Sequence, residues 1–450
     1  MEEKTENDKL CTIRMAEYAV CNHTAQLTEK DVRMTKLSFL DWLAAAVSGC
    51  GEKSAGLLAD MAVEEHASGD CVLIGQNKRT SPLYAALING TLSHAIDFDD
   101  IHDFLSLHLS SPVFPAALAA AQIAGATGME LINGSVNGMQ IMVAVSAAVM
   151  PEHYNIGRFH ATGTIGIFGA AAAAGAILKL TPEQMCNAFG ISAGLMSGIQ
   201  LNFGTMAKPM AAGMAAKNGL MAALLAKKGF TGRADLFDTD FLNNLSANAS
   251  AEKMMERLYG PLGIHELRFK RYPCGAPTHS GIINCKKMIT EHKIKPEEIE
   301  KIIFEPYPRA IRLVGITHPK TGLEGKFSIP FTAAAQIVFG QVTMETFTDE
   351  AVRNPGVLRL LDRMEMIPND EFTPSRGGRA TILLKDGRKF SNSTYLLGHE
   401  LNLDESEKEV IEKYREILNP RLGAERTEAI YHEIMNLDKS DRLNGLCGLL

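Results

Sequence analysis

Residues 161–178 read Ala-Thr-Gly-Thr-Ile-Gly-Ile-Phe-Gly-Ala-Ala-Ala-Ala-Ala-Gly-Ala-Ile-Leu, a stretch without a charged side chain. Its length is close to the ~20 residues that span a bilayer. Its composition is not that of a membrane span, because Ala, Gly and Thr largely replace Leu, Ile and Phe. We therefore interpret the stretch as a buried helix whose small side chains let neighbouring helix backbones approach closely.

Helical patterns continue on both sides of this stretch, from about residue 9 to about residue 265. Thr28 and Thr181 are followed by acidic or amide residues at first-turn positions, as at helix N-termini. Apolar residues recur at helical spacing, or Ala and Gly dominate, in residues 10–20, 32–47, 116–126, 134–150 and 211–225. These patterns predict a mainly α protein with a large all-helical domain.

Strand patterns appear only after Pro261. Residues 299–305 alternate apolar and polar side chains. The segments 379–384 and 388–396 flank Asp386-Gly387, a preferred two-residue hairpin turn. Strands are therefore expected in this part of the chain.

Helices are expected between these strands and again after them. Residues 278–292 and 328–339 have helical patterns, and amphipathic helix returns at 404–419 and 424–437, where it is expected to pack back onto the helical body. We predict a smaller α+β domain over residues 266–400. The all-helical domain would then consist of residues 1–265 together with 401–450.

The composition is that of an ordinary globular protein and argues against several partner classes. The 450 residues include 45 Lys and Arg against 52 Asp and Glu, for a net charge of -7. No long basic block is present, so nucleic acid is not an expected partner. The first residues follow neither a secretory nor a transit-peptide pattern, so we expect a cytoplasmic protein with no membrane partner. The eight cysteines are scattered, which predicts free thiols and no metal site.

The densest polar cluster is Ser-His-Ala-Ile-Asp-Phe-Asp-Asp-Ile-His at residues 93–102, followed by His108. On a continuous helix, His94 and Asp97 lie three residues apart on one face, while Asp99 points away. An inward His/Asp pair next to a loop histidine is an acid–base arrangement. The same spacing also fits a capping and salt-bridge network at a helix end, and the spacing favours neither interpretation.

A second candidate lies at Arg-Phe-His-Ala-Thr-Gly, residues 158–163, with Tyr154 just upstream. His160 precedes a Gly-rich helix start, where free N–H groups and the helix dipole attract anions, so we expect a carboxylate ligand beside it. Arg158 is a further candidate binding residue. The glycines at 163, 166 and 169 lack the preceding strand and the Lys-Ser/Thr of a nucleotide loop, and helix packing explains them better.

Two lysines complete the candidates. Lys208 lies in the loop Gly-Thr-Met-Ala-Lys-Pro, residues 204–209, and can bind a carboxylate. Lys270 begins the predicted hinge into the second domain, with His279 at its far end. A lysine buried between two domains can lose its proton and act as a base. Each of these residues, considered alone, is more often structural than catalytic.

As an ordered set, these motifs resemble the MmgE/PrpD family over nearly the whole chain. They are His-Ala-Ile-Asp-Phe-Asp-Asp at 94–100, His-Leu-Ser-Ser-Pro-Val at 108–113, Arg-Phe-His-Ala-Thr-Gly at 158–163, Gly-Thr-Met-Ala-Lys-Pro at 204–209, Lys-Arg-Tyr-Pro-Cys at 270–274 and Gly-Lys-Phe-Ser at 325–328.

The family includes 2-methylcitrate dehydratase, cis-aconitate decarboxylase and iminodisuccinate epimerase. The resemblance implies a large helical domain, a smaller α+β lid domain, a homodimer and no metal or organic cofactor. It implies that Tyr154 stands where an epimerase-type tyrosine would. The candidate catalytic residues are Asp97, His108, His160, Lys270 and Tyr154, and the candidate substrate-binding residues are Lys208, His94, Arg158 and His279.

Four positions depart from the dehydratase and decarboxylase pattern. Ala211 and Gly275 stand where many members, or the decarboxylase-like ones, carry a histidine. Phe331 stands where we align a family tyrosine, and Ile101 where the decarboxylases have a threonine. Two imidazoles and two hydroxyls are therefore absent from this chain.

Three hypotheses about function follow. The first is a cofactor-independent lyase that acts on a small di- or tricarboxylic acid by removing a proton next to a carboxylate. The second is an epimerase or isomerase of an amino- or imino-dicarboxylate, with Tyr154 and Lys270 on opposite faces of one carbon, and the fewer imidazoles favour it. The third is a non-catalytic binding protein, against which the full set of ionisable residues argues.

Overall fold

The computed structural model describes residues 10–102, 104–372, 377–394 and 403–450, and it is mainly α, as predicted. The helices before residue 260 are α1 (Cys11–Val20), α2 (Glu29–Gly49), α3 (Lys53–Glu64), α4 (Pro82–Ala95), α5 (Ser110–Ala124), α6 (Gly128–Val149), α7 (Glu152–Asn155), α8 (Ala161–Thr164), α9 (Gly166–Ile177), α10 (Pro182–Ala193), α11 (Ala207–Lys227), α12 (Phe241–Leu245) and α13 (Ala251–Leu258). The later helices are α14 (His279–His292), α15 (Pro308–Val314), α16 (Gly322–Gly325), α17 (Ile329–Phe339), α18 (Asp349–Val352), α19 (Pro355–Leu361), α20 (Leu403–Leu422), α21 (Ala424–Met435) and α22 (Asn444–Leu449). The strands are β1 (Cys71–Leu73), β2 (Lys78–Thr80), β3 (Ile101–His102), β4 (Leu267–Arg268), β5 (Ile299–Pro306), β6 (Met364–Met366), β7 (Gly378–Leu384) and β8 (Lys389–Thr394).

Side-chain caps set the starts of several helices. Thr28 and Thr181 cap α2 and α10, as predicted, and Thr127 caps α6. In each case the threonine side chain accepts from the backbone N–H three residues on, and the side chain of that residue accepts from the threonine N–H. These reciprocal bonds satisfy N–H groups that a helix start leaves without partners.

Residues 161–178 are buried as predicted, but they form two helices, α8 and α9, which meet at Ile165. Gly166 opens α9 against the ring of Pro112. Further along α9, a Cβ on Gly169 would lie 2.8 Å from the carbonyl oxygen of Gly138 on α6. The backbones of α6 and α9 therefore touch, as the small residues predicted. Within the described residues, α6 is the one helix long and apolar enough to cross a membrane, and nearly all of it is buried inside the protein.

The prediction of an all-helical body was wrong in two places. β1 pairs antiparallel with β2, and β3 pairs antiparallel with β4. The Asn89 side chain on α4 holds the first hairpin by accepting from the Ile74 N–H and donating to the Val72 carbonyl. Strands of two or three residues are too short to leave an alternating pattern in the sequence.

A second, smaller hydrophobic core lies between residues 274 and 384. Its four-stranded sheet has the order β6-β5-β7-β8, with β5 parallel to β6 and antiparallel to β7. The predicted hairpin at Asp386-Gly387 joins β7 and β8, and Gly387 has a φ of 86° that favours glycine there. The predicted helices appear as α14 and α17, which pack against each other, and α14 also packs on this sheet.

The last helices return to the large core, as predicted. α20 packs against α2, and Val410, Tyr414 and Ile417 join the large cluster of buried apolar residues. The division into residues 1–265 with 401–450, and 266–400, stays a prediction. Its second boundary lies outside the described residues.

Candidate active site

The polar cluster around residue 97 is a loop, because α4 ends at Ala95. Asp97 has a φ of 57°, in the left-handed region, and this conformation turns the chain back on itself. The predicted pair of His94 and Asp97 on one helix face was therefore wrong. The side chain that returns to His94 is Asp99, which a continuous helix would have pointed away.

One carboxylate oxygen of Asp99 is the centre of the histidine cluster. It accepts hydrogen bonds from His94 Nδ1 at 2.9 Å and from Ser111 Oγ at 2.6 Å. It also lies 3.0 Å from His108 Nδ1. Burial disfavours the anion, but His108 and His94 outweigh it and hold the pKa of Asp99 well below its usual range. Asp99 therefore orients two imidazoles as an ionised carboxylate.

Asp97 binds two lysines instead of an imidazole. Its two carboxylate oxygens accept from Lys208 Nζ and from Lys270 Nζ, the latter at 2.8 Å. Burial opposes ionisation, but Lys208 and Lys270 hold the pKa of Asp97 well below its usual range. All three side chains are buried. The result is a buried group in which two ammonium groups share one carboxylate.

These side chains line a cavity between the two cores, with an accessible volume of about 50 Å³. The body contributes one wall, and segments 275–277, 313–314 and 327 of the smaller core contribute another. The lining consists of Asp97, Ile101, Ser106, His108, Tyr154, His160, Phe203, Lys208, Lys270, Gly275, Ala276, Pro277, Leu313, Val314 and Phe327. Six of the nine predicted site residues therefore meet at one cavity: Asp97, His108, Tyr154, His160, Lys208 and Lys270.

The other three predicted residues do not line the cavity. His94 lies behind it, with its ring 4.6 Å from that of His108 and 5.4 Å from that of His160. Arg158 is exposed, and His279 is buried against Tyr272. His160 precedes a helix start, as predicted, but this helix is the four-residue α8, and the carboxylate ligand expected beside His160 stays a prediction.

The cavity histidines are held in the neutral form. Burial lowers the pKa of His108 even though Asp99 opposes this change. Burial, with the nearby His94 and Lys208, lowers the pKa of His160 well below its usual range. His160 Nδ1 has no hydrogen-bond partner among the described residues. Neutral imidazoles can accept a proton, so both residues have the form that a general base requires.

Four of these side chains could in principle converge on a metal ion. Ligand atoms of His94, Asp97, Asp99 and His108 lie within 4.8 Å of one another. The charges around them fit a cation poorly, because both oxygens of Asp97 already bind ammonium groups. The Oδ2 atom of Asp99 likewise already accepts hydrogen bonds from His94 and Ser111. The chemistry of the donor set therefore favours an anionic ligand in the cavity.

Sequence reasoning missed Asp99, its hydrogen-bond donor Ser111, and Lys326, whose Nζ donates to the Ile96 carbonyl in the loop at 96–99. Asp99 was assigned to the wrong face, because no local pattern showed that α4 ends at Ala95. Ser111 lies in the motif that follows His108, and Lys326 lies in Gly-Lys-Phe-Ser. Both residues therefore lie in motifs that the sequence analysis singled out. The spacing of residues within either motif does not predict which side chain contacts the loop at 96–99.

Two of the four departures from the family pattern lie at the cavity itself. Ile101 and Gly275 line it, so the lost hydroxyl and imidazole leave it less polar. Phe331 is fully buried in the smaller core against Gly325. Ala211 packs near Gly163 at the contact between α11 and α8.

Comparisons with known proteins cover almost the whole chain. The MmgE/PrpD N-terminal domain model matches residues 13–252, and the MmgE/PrpD C-terminal domain model matches residues 272–439. The chain is 25% identical to the cis-aconitate decarboxylase-like protein oryM of Aspergillus oryzae, over 96% of each chain. It is 26% identical to human cis-aconitate decarboxylase, over 94% of this chain and 91% of the relative. It is 23% identical to the 2-methylcitrate dehydratase of Yarrowia lipolytica, over 90% of this chain and 84% of the relative.

Proposed function

Because the chain belongs to the MmgE/PrpD family, we propose that it is a lyase that acts on a small polycarboxylic acid without a metal or organic cofactor. The named relatives make cis-aconitate and 2-methylcitrate the first substrates to test. We further propose that the enzyme works in the cytoplasm as a homodimer, as the family resemblance implies.

The observation that carries the proposal is the pairing of cations with neutral imidazoles around one cavity. Lys208 and Lys270 share the single carboxylate of Asp97, so this group keeps one surplus positive charge for a substrate carboxylate. Removing a proton next to a carboxylate builds negative charge on its oxygens, which nearby ammonium groups stabilise. A neutral imidazole, His108 or His160, accepts that proton.

Two lyase reactions can take place at such a site, and they differ in the group that leaves the substrate. In dehydration, the electron pair left by the proton forms a C=C bond as hydroxide departs from the neighbouring carbon, and the leaving oxygen takes a proton from a cavity acid. In decarboxylation no C–H proton is removed: the C–C bond to the departing carbon dioxide breaks, its electron pair stays on the substrate, and the substrate carbon takes a proton from the Tyr154 hydroxyl or the Lys208 ammonium group. Both reactions need cations beside the substrate carboxylates; dehydration also needs a base and an acid, and decarboxylation needs an acid, and the cavity lining contains both kinds of group.

The contacts of Lys270 favour a charge role over a base role. Its Nζ donates to Asp97 Oδ2 at 2.8 Å, to the Asp97 carbonyl at 2.9 Å and to the Cys274 carbonyl at 3.3 Å. Three acceptors match the three donors of an ammonium group. The base is therefore better sought at His108 or His160.

A second candidate is an epimerase of an amino- or imino-dicarboxylate. It is favoured by one observation, which is that Tyr154 and Lys270 both line the cavity. Epimerisation needs a proton donor and a proton acceptor on opposite faces of one carbon. A binding protein without turnover is the third candidate, and the same experiment separates all three.

The experiment is NMR of the purified protein in deuterated water with cis-aconitate, 2-methylcitrate and an aspartate-type acid. A lyase converts cis-aconitate or 2-methylcitrate into a new product. An epimerase exchanges the α-proton of the aspartate-type acid for deuterium and leaves its carbon skeleton intact. Line broadening without conversion or exchange would indicate a binding protein and contradict the proposal.

Two variants then divide the candidate bases. We expect His160→Asn to lower turnover at least ~100-fold, the usual size of a lost general acid or base. Lys270→Arg keeps the charge but cannot give up its proton. Turnover that survives in Lys270→Arg assigns this lysine a charge role, and turnover that survives in His160→Asn moves the base to His108.

A further inference from the structure

Three consecutive backbone carbonyls at the end of α4 each accept a hydrogen bond from a different buried lysine. Lys326 Nζ donates to the Ile96 carbonyl at 2.9 Å, and Lys270 Nζ donates to the Asp97 carbonyl at 2.9 Å. Lys413 Nζ donates to the Phe98 carbonyl at 2.6 Å. All three lysine side chains are buried.

The outer two lysines come from opposite parts of the molecule. Lys326 lies between α16 and α17, next to Phe327 of the smaller core and of the cavity wall. Lys413 lies on α20, where its Nζ also binds Asp41 Oδ1 at 2.7 Å and lies 3.8 Å from the centre of the Phe98 ring. The loop is thus held from the smaller core on one side and from the C-terminal helices on the other.

The chemistry of this loop explains why cations are needed there. Ile96 is the C-cap residue of α4, where carbonyls lack partners within the helix and the helix dipole makes the end negative, and the Asp97 and Phe98 carbonyls follow directly after it. Asp97 also adopts a left-handed conformation, which disfavours residues other than glycine and persists only where surrounding contacts impose it. Ammonium donors on both neighbouring carbonyls, Ile96 and Phe98, supply such contacts.

We propose that Lys326 and Lys413 are positioning residues, which fix the backbone on either side of Asp97 so that its carboxylate meets Lys208 and Lys270 while Asp99 meets the histidines. Neither lysine lines the cavity, so neither contacts substrate. Burial lowers the pKa of Lys326 to about 8, so its ammonium form still predominates at neutral pH. The active site is complete only when the smaller core and α20 are both in place.

The test replaces each lysine and measures the loop directly. Lys326→Met and Lys413→Met remove the donor and keep much of the volume, whereas Lys413→Arg keeps the charge and a donor. Hydrogen exchange of a peptide covering residues 93–108 reports whether the loop opens, and it needs no substrate. Turnover of the substrate found above reports the effect on chemistry.

Matched controls separate positioning from general stability. Lys286→Met on α14 and Lys408→Met on α20 replace exposed lysines that the site does not use. Leu446→Ala on α22 removes a fully buried side chain far along the chain from the loop and lowers Tm without touching it. Asp41→Asn combined with Lys413→Met avoids a buried, unpaired Asp41, and it replaces Lys413→Met if that variant fails to fold.

We expect faster exchange at 93–108 and at least ~10-fold lower kcat in both Met variants, with KM changed much less, because misplaced catalytic groups slow the reaction more than they weaken binding. Lys413→Arg should recover most of the loss, and the controls should exchange as the wild type does. Wild-type exchange and kcat in both Met variants would overturn the proposal, and so would a fall in kcat that Leu446→Ala reproduces at equal Tm. If no substrate is found, the exchange data alone decide.

Discussion

At the scale of single residues, Asp97 and Asp99 show how two similar side chains take different roles. They lie two positions apart, yet Asp97 binds two ammonium groups and Asp99 binds two imidazoles. The left-handed backbone at Asp97 separates the two environments. Asp99 therefore orients His94 through a hydrogen bond and places its carboxylate 3.0 Å from His108 Nδ1, while Asp97 sets the positions of the lysines.

The role of Asp99 can be tested by replacing it with an amide. Asp99→Asn keeps the size but presents an N–H where the imidazoles need an acceptor, so the wrong tautomer of His108 is favoured. We expect kcat to fall at least ~100-fold while the protein stays folded. Steady-state kinetics and circular dichroism measure the two effects. A variant with near-normal kcat would show that His108 does not depend on Asp99.

The next residue along the chain supplies the matched control. Asp100 is buried and accepts from the hydroxyls of Ser38 and Ser110. Burial, with Asp41 and Asp99, raises the pKa of Asp100 to about 7, so Asp100→Asn resembles its protonated form and should leave kcat within a few fold. Because the pKa of Asp100 is higher in the folded than in the unfolded protein, its protonated form stabilises the fold at pH values below the unfolded-state pKa. This stabilisation is lost as the pH rises through about 7. The Tm of Asp100→Asn minus that of the wild type should therefore increase between pH 5 and pH 8.

At the scale of elements, the close packing of α4 against α11 places His94 and Lys208 near each other. His94 lies in the last turn of α4, and Lys208 lies in the first turn of α11. The two helices touch at Gly90 and Gly213, where a Cβ on Gly90 would lie 2.8 Å from the Gly213 Cα. Larger residues at this crossing would hold the helices apart and move both site residues.

This crossing gives a prediction about stability. A Cβ on Gly213 would lie 2.2 Å from the Leu87 carbonyl oxygen, so Gly213→Ala forces backbone to move. We expect the free energy of unfolding to fall by about 1–3 kcal/mol, measured by urea denaturation. The control is Gly56→Ala inside α3, where a Cβ meets nothing within 4 Å and should raise the free energy of unfolding by about 0.5–1 kcal/mol. Equal stability of Gly213→Ala and wild type would mean that the crossing can relax.

At the scale of the whole molecule, the chain leaves the large core, builds the smaller one and then returns. The cavity lies between the two cores, and Leu313 packs against both of them. The returning segment, 403–450, is far from the body in sequence but belongs to its core. The proposed 401–450 part of the helical domain is therefore open to a direct test.

A chain that ends at residue 402 should not fold into a stable protein. It loses Tyr414, Ile417, Leu418, Ile430 and Ile434, which are buried in the large core. Each such side chain contributes about 1.5–3 kcal/mol, and the sum is comparable with a typical net stability of about 5–15 kcal/mol. We expect loss of the cooperative thermal transition, and its recovery when residues 403–450 are supplied as a separate fragment. A soluble 1–402 chain with the wild-type Tm would contradict the assignment of 401–450 to the body.

Local patterns in the sequence determined most of the elements. The capping boxes at Thr28 and Thr181, the small-residue helices and the hairpin at Asp386-Gly387 all depend on neighbours within a few residues, and the structure confirms them. The ordered motifs likewise pointed to the family and to the six residues that meet at the cavity.

Only the tertiary structure decided which polar groups pair. The loop that follows α4 is hydrogen-bonded by Lys270, Lys326 and Lys413, which lie 173, 230 and 315 residues further along the chain and leave no trace in the pattern around Asp97. Asp99 was therefore assigned to the wrong face, whereas β3 and β4 were missed because two-residue strands leave no alternating pattern. Periodicity reports how a segment meets its surroundings, but a hydrogen bond between distant segments depends on how the whole chain packs.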